Sequence, residues 1–180
     1  MLNITIPKSE LFDENTSSFI YVKEQHLQLE HSLVSLDKWE SKWKIPFLGK
    51  DEKTREQTID YIRCMTITQN VSPEVYYGLT EQNFLDVTAY IDDSMTATWF
   101  SDDKKKPGGS QVITSELLYY WMIAFNIPFE CRKWHLNKLL TLIHICNIKN
   151  QPPKKLKGNE LAKRNASINN ARRKALGTTG

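Results

Sequence analysis

The most heavily apolar stretch of this chain lies between Thr114 and Cys146, and its main interruption is Asn126-Ile127-Pro128. The run from Leu117 to Phe125 carries no charge, yet it is only about half of the ~20 residues that a bilayer-spanning helix needs. It therefore predicts a helix buried in protein. Thr114 is placed to cap that helix, and Pro128 is expected to restart a second one carrying Trp134, Leu136, Leu139, Leu140, Ile143, Ile145 and Cys146. Both are apolar on nearly every side, so they are expected to pair as an αα-hairpin at the centre of the core.

The first third is written differently. Leu2, Ile4 and Ile6 alternate with Asn3 and Thr5, Phe19 to Val22 favours extended backbone, and Leu27, Leu29, His31 and Leu33 share one side of a period-2 segment. These predict a small antiparallel sheet or hairpin, with polar Ser9 to Ser18 read as a loop. Ser35 is then a candidate cap for a helix with Leu36, Trp39 and Trp43, ended by Pro46 and Gly49. Asp51 is a candidate cap for the next, with Ile59, Ile62 and Met65 on one face. Ser72-Pro73-Glu74 starts a short turn up to Gly78, and Thr80 opens a helix striped by Phe84, Val87, Ile91 and Met95. Ser101 to Ser110, with its lysines, proline and paired glycines, reads as an exposed loop. The fold class expected is α+β, mainly α: an N-terminal sheet or hairpin, a helical core with a central αα-hairpin, and a C-terminal arm. A chain of 180 residues suits one globular domain, 1–150, with strands in 1–34 and helices in 35–150.

Residues 151–180 form the arm, set off by Gln151-Pro152-Pro153. From Lys149 to Lys174 there are nine Lys/Arg against Glu160 alone, so within a net charge of +3 the rest of the chain is near −5. The candidate partner-binding residues are Lys154, Lys155, Lys157, Lys163, Arg164, Arg172, Arg173 and Lys174. Such a cluster could neutralise nucleic-acid phosphates, but the arm holds no aromatic residue on which bases could stack. Docking on an acidic protein surface, including the negative body of another copy, is the preferred reading.

Catalytic and metal chemistry finds little purchase. His31, on an apolar strand face, reads as a hydrogen-bonded core histidine, and His26 lies in the same region. Cys131 and His135 have the i, i+4 spacing of zinc ligands, with His144 and Cys146 further on, but no second paired motif completes a tetrahedron. Asp92-Asp93 and Asp102-Asp103 lack the ordered oxygen spacing of a calcium loop. Pro107-Gly108-Gly109-Ser110 matches no phosphate-binding fingerprint. No catalytic, cofactor or metal residue is assigned, and the expectation is a non-enzyme. The beginning, Met1 to Pro7, lacks the features of a secretory signal, and the three cysteines are odd in number without close pairing; both suit a reducing cytoplasm.

Several strings look like those of a family of tailed phages and prophages. They are Leu29-Glu30-His31-Ser32-Leu33-Val34-Ser35 with Lys38-Trp39-Glu40-Ser41-Lys42-Trp43, Asp60-Tyr61-Ile62-Arg63-Cys64-Met65-Thr66, and Met95-Thr96-Ala97-Thr98. The strongest lies in Ile113 to Asn150, with Tyr119-Tyr120-Trp121-Met122-Ile123-Ala124 and Asn126-Ile127-Pro128-Phe129-Glu130-Cys131, and Ala171-Arg172-Arg173-Lys174 before Gly177 closes the set. The chain thus resembles the small tail assembly chaperones made beside the tape measure protein of long-tailed phages. The resemblance implies a non-catalytic protein of the host cell cytoplasm that binds the tape measure protein and aids tail tube assembly among tail tube subunits, while the opposite charges of body and arm allow copies to associate as a homo-oligomer. Two alternatives accompany it: a virion subunit of the tail-completion, connector or baseplate-linked kind, and a non-specific nucleic-acid-binding protein.

Overall fold

A computed structural model describes residues 1–13, 17–98, 100, 112–151 and 158–177. It divides into two compact units, Met1–Cys146 and Asn147–Gly180. The fold is α+β and mainly helical, with the strands first.

Strands β1 (Leu2–Ile6), β2 (Ser9–Asp13), β3 (Ser18–Val22) and β4 (Gln25–Leu29) make two antiparallel ladders, β1 with β4 and β2 with β3. Ile6 faces Gln25 and Ser9 faces Val22, so one register carries through both ladders. The break falls at Pro7, which has no N–H to give. Polar Ser9 to Asp13, expected in a loop, is therefore a strand. The pairing begun by β1 and β4 runs on past the proline, and Phe12 faces Phe19 edge-on with ring centroids 5.2 Å apart. Alternation then sorts the faces, with Ile4, Ile6, Val22, Leu27 and Leu29 buried and Asn3, Thr5, His26 and Gln28 outside.

Helix α1 (Leu33–Trp43) begins three residues earlier than its sequence signal suggested. Ser32 is its cap, and Ser35 is the reciprocal partner whose Oγ accepts from the Ser32 N–H at 2.8 Å. The same reciprocal capping opens α2 (Arg55–Met65), where the cap is Thr54 with Gln57 and not Asp51, and α3 (Glu81–Asp92), where it is Thr80 with Asn83. Between them Pro73–Gly78 forms a 3-10 turn. Its Gly78 lies so close to the hairpin that a Cβ there would come within 3.0 Å of Ser9 Oγ and 3.1 Å of Ile6 Cγ2. Met95 does not extend the α3 stripe, because the Asp93 carboxylate takes the Met95 N–H and Asn137 Nδ2 donates to the Ile91 and Asp93 carbonyls.

Helix α4 (Ser115–Ala124) starts at Thr114 as expected. Asn126, at φ 53°, turns the chain, but Pro128 opens a 3-10 turn, Phe129–Lys133, instead of a long helix. Helix α5 (Leu136–Asn150) follows only after His135 has bridged to Ser32 and the Leu136 N–H has bonded to the His31 carbonyl at 2.7 Å. That bridge takes the backbone out of helical geometry.

The core is correspondingly not one kernel of two helices. One cluster joins the sheet to Trp39, Tyr61, Ile62, Met65 and α3; the other joins Leu33 and Leu36 to Leu118, Met122, Leu136 and Leu139. Helix α1 contributes to both and is the central element. Helix α6 (Gly158–Leu176) is in the second unit, and no helix among the described residues is long and apolar enough to cross a membrane.

Candidate functional site

The buried polar groups come first, since a buried titratable cluster is where chemistry would show itself. His31 and His135 lie 5.2 Å apart between ring centroids, and both are almost wholly buried. His31 Nδ1 shares a 2.6 Å hydrogen bond with the Tyr61 hydroxyl. His135 Nε2 must carry its proton, because its 2.9 Å partner is the Tyr90 carbonyl, and its Nδ1 then accepts from the Asn137 N–H. Burial, and then the neighbouring His135, hold the His31 imidazole down to about 3, so it is neutral. Burial likewise raises the Tyr61 hydroxyl far above its ordinary range. Three of the four ring nitrogens of the pair are thus engaged by Tyr61, the Tyr90 carbonyl and the Asn137 N–H. His31 is a hydrogen-bonded core residue.

The zinc-like spacing is spent on packing too. Cys131 is buried in the second cluster, its thiol raised by burial, while His144 meets the Phe100 ring edge-on at 4.2 Å. Among the described residues no three His, Cys, Asp or Glu side chains come together as metal ligands. Asp93 is engaged in the α3 end, and Asp102-Asp103 lie outside the described residues.

Three surfaces remain. On α4, Leu118 and Met122 point into the core, which turns Tyr120 and Ile123 outward, while Tyr119 flanks them half-buried against the second cluster. Tyr120 and Ile123 are 63% and 68% exposed, far more than an all-round buried helix would allow. Tyr119 stacks on Phe129 at 5.6 Å, and the Arg132 guanidinium lies 4.8 Å above that Phe129 ring. Apolar and cationic groups thus share one face, which the uniformly apolar sequence concealed.

The second surface is a groove of about 330 Å³ floored by α2. Arg55, Ile59 and Arg63 run along it at four-residue intervals, Lys42 comes from the last turn of α1, and Tyr77 comes from the 3-10 turn. Asp60 is nearly buried there, and its two oxygens accept from Lys42 Nζ at 2.5 Å and Trp43 Nε1 at 2.9 Å. Sequence reading missed this groove, because its residues come from three elements.

The third is α6. Lys163, Arg172, Arg173 and Lys174 are exposed upon it, and Arg164 is in the same helix, whereas Lys154, Lys155 and Lys157 lie outside the described residues. Lys163, Asn170 and Lys174 line one shallow strip along the helix, a surface without enclosing walls. Arg173 and Lys174 fall in its last turn, where cations complement the helix dipole. The arm is thus helical over much of its length although its apolar residues are sparse.

Comparison with protein-family models, curated proteins and solved structures returns no match.

Proposed function

We propose that this chain is a phage tail assembly chaperone that binds the tape measure protein and aids tail tube assembly. The resemblance to that family is strongest in Ile113 to Asn150, the segment that contains α4 and α5. The observation that carries the reading is the exposed face of Tyr120, Ile123 and Phe129, edged by half-buried Tyr119, within that segment. A monomeric surface seldom leaves large apolar side chains so clustered unless another chain covers them. A tape measure protein is long and helical, so a shallow apolar face engaged repeatedly along it suits a chaperone that must later leave.

Co-expression with the tape measure protein tests this. A stable complex is expected, and Tyr120→Ser/Ile123→Ser should abolish it while the chain stays folded. No complex with the wild-type chain would refute the reading. The exposed cations of α6 favour a second reading, a virion subunit using the arm as a permanent tether. Mass spectrometry of purified particles separates the two, since a chaperone is absent from finished virions and a subunit is retained.

A further inference from the structure

We infer that the groove on α2 is a second binding site, for an extended acidic peptide with the pattern acid-x-apolar-x-acid. This assignment is independent of the tail-assembly reading and of the α4 face.

The charges decide the ligand's sign. Lys42, Arg55 and Arg63 line the groove against Glu56 and Asp60. Asp60 is already committed to Lys42 and Trp43, which leaves two arginines and Glu56 to face an incoming chain. Among the described residues neither arginine pairs with a carboxylate. Arg55 instead rests over the Phe84 ring at 5.6 Å, a contact that leaves its N–H edge available. Guanidinium groups take carboxylates in a two-pronged geometry, so two free arginines ask for two carboxylates.

The spacing decides the ligand's shape. Arg55 and Arg63 are eight residues apart on one helix, roughly 12 Å at 1.5 Å per residue, with Ile59 midway. Spread over that length, the groove's volume of about 330 Å³ averages roughly 30 Å² in cross-section, against roughly 80–110 Å² for a helix that is 10–12 Å across. One extended chain fits. At about 3.3 Å per residue its positions i, i+2 and i+4 cover roughly 13 Å on one side, setting acids on the arginines and an apolar side chain on Ile59. Tyr77, 64% exposed, provides a flat wall alongside.

The test uses the full chain and two labelled peptides, one containing Glu-Ser-Leu-Ser-Glu and the other Lys-Ser-Leu-Ser-Lys, followed by fluorescence anisotropy. The acidic peptide is expected to bind at least tenfold more tightly. The Arg55→Glu/Arg63→Glu chain should invert that preference, and the inversion itself certifies a folded groove. Equal binding of both peptides to the wild-type chain overturns the proposal, as does an acidic preference that survives in the double variant. Self-association of the wild-type chain that the double variant loses would put a second copy in the groove and overturn the peptide assignment.

Discussion

His31 is neutral because ionising it would strand a charge among Tyr61, Phe47 and His135, and that cost is readable as a pH dependence. Its imidazole titrates at about 3 in the fold and at 6.5 when free in water. Between those values the unfolded chain binds more protons, so stability falls as pH drops through 6.5 and this contribution levels off below 3. From pH 7 to pH 4 the loss is about 3 kcal/mol. Urea unfolding across that range should show the slope, and His31→Gln, which keeps a hydrogen-bonding group for Tyr61, should remove this part of it. A second residue-scale prediction concerns Gly78, whose added methyl would collide with Ile6 and Ser9. Gly78→Ala is expected to cost about 1–2 kcal/mol in thermal melts, as overpacking does. Ser9 Oγ is buried there without a hydrogen-bond partner among the described residues, so Ser9→Ala should leave stability unchanged or slightly higher.

At the scale of elements, Glu40 joins three parts of the body. From α1 its carboxylate accepts the Phe47 N–H at 2.8 Å and the Ser115 N–H, at the start of α4, at 2.7 Å. Removing it strands one buried donor and one half-buried one, so Glu40→Ala should cost about 2–3 kcal/mol. Glu40→Gln, with one oxygen left to accept, should fall between the two in denaturant melts. The sequence revealed the helices whose start and stripe are both local: Thr80 and Thr114 were legible as caps, and the buried strand faces followed from alternation. It hid what depends on distant partners. Ser32 displaced Ser35 as a cap because the reciprocal hydroxyl pairing and the His31–Leu136 hydrogen bond fix the chain there. Likewise β2 extends through a polar segment because β3 lies opposite. Of the candidate sites, the basic stretch was visible as composition, whereas the α2 groove exists only once α1 and the 3-10 turn are folded beside α2.

For the whole molecule, charge is distributed very unevenly along the chain, a body near −5 and an arm near +8 from Lys149 to Lys174. The described arm side chains are exposed, and rim charges of that sort govern how quickly partners meet far more than how long they stay. The apolar face on α4 should conversely govern dissociation, because its contact is short-ranged and insensitive to screening. The two roles are separable in one kinetic experiment with the proposed client, the tape measure protein, immobilised. Replacing Lys163, Arg164, Arg172, Arg173 and Lys174 with glutamine should slow association about tenfold at 50 mM salt and leave dissociation within about twofold. At 500 mM salt, where the Debye length shrinks to about 4 Å, wild type and variant should associate at the same rate. A dissociation rate that rises with the charge loss would instead make the arm a holding contact, as the virion-subunit reading requires.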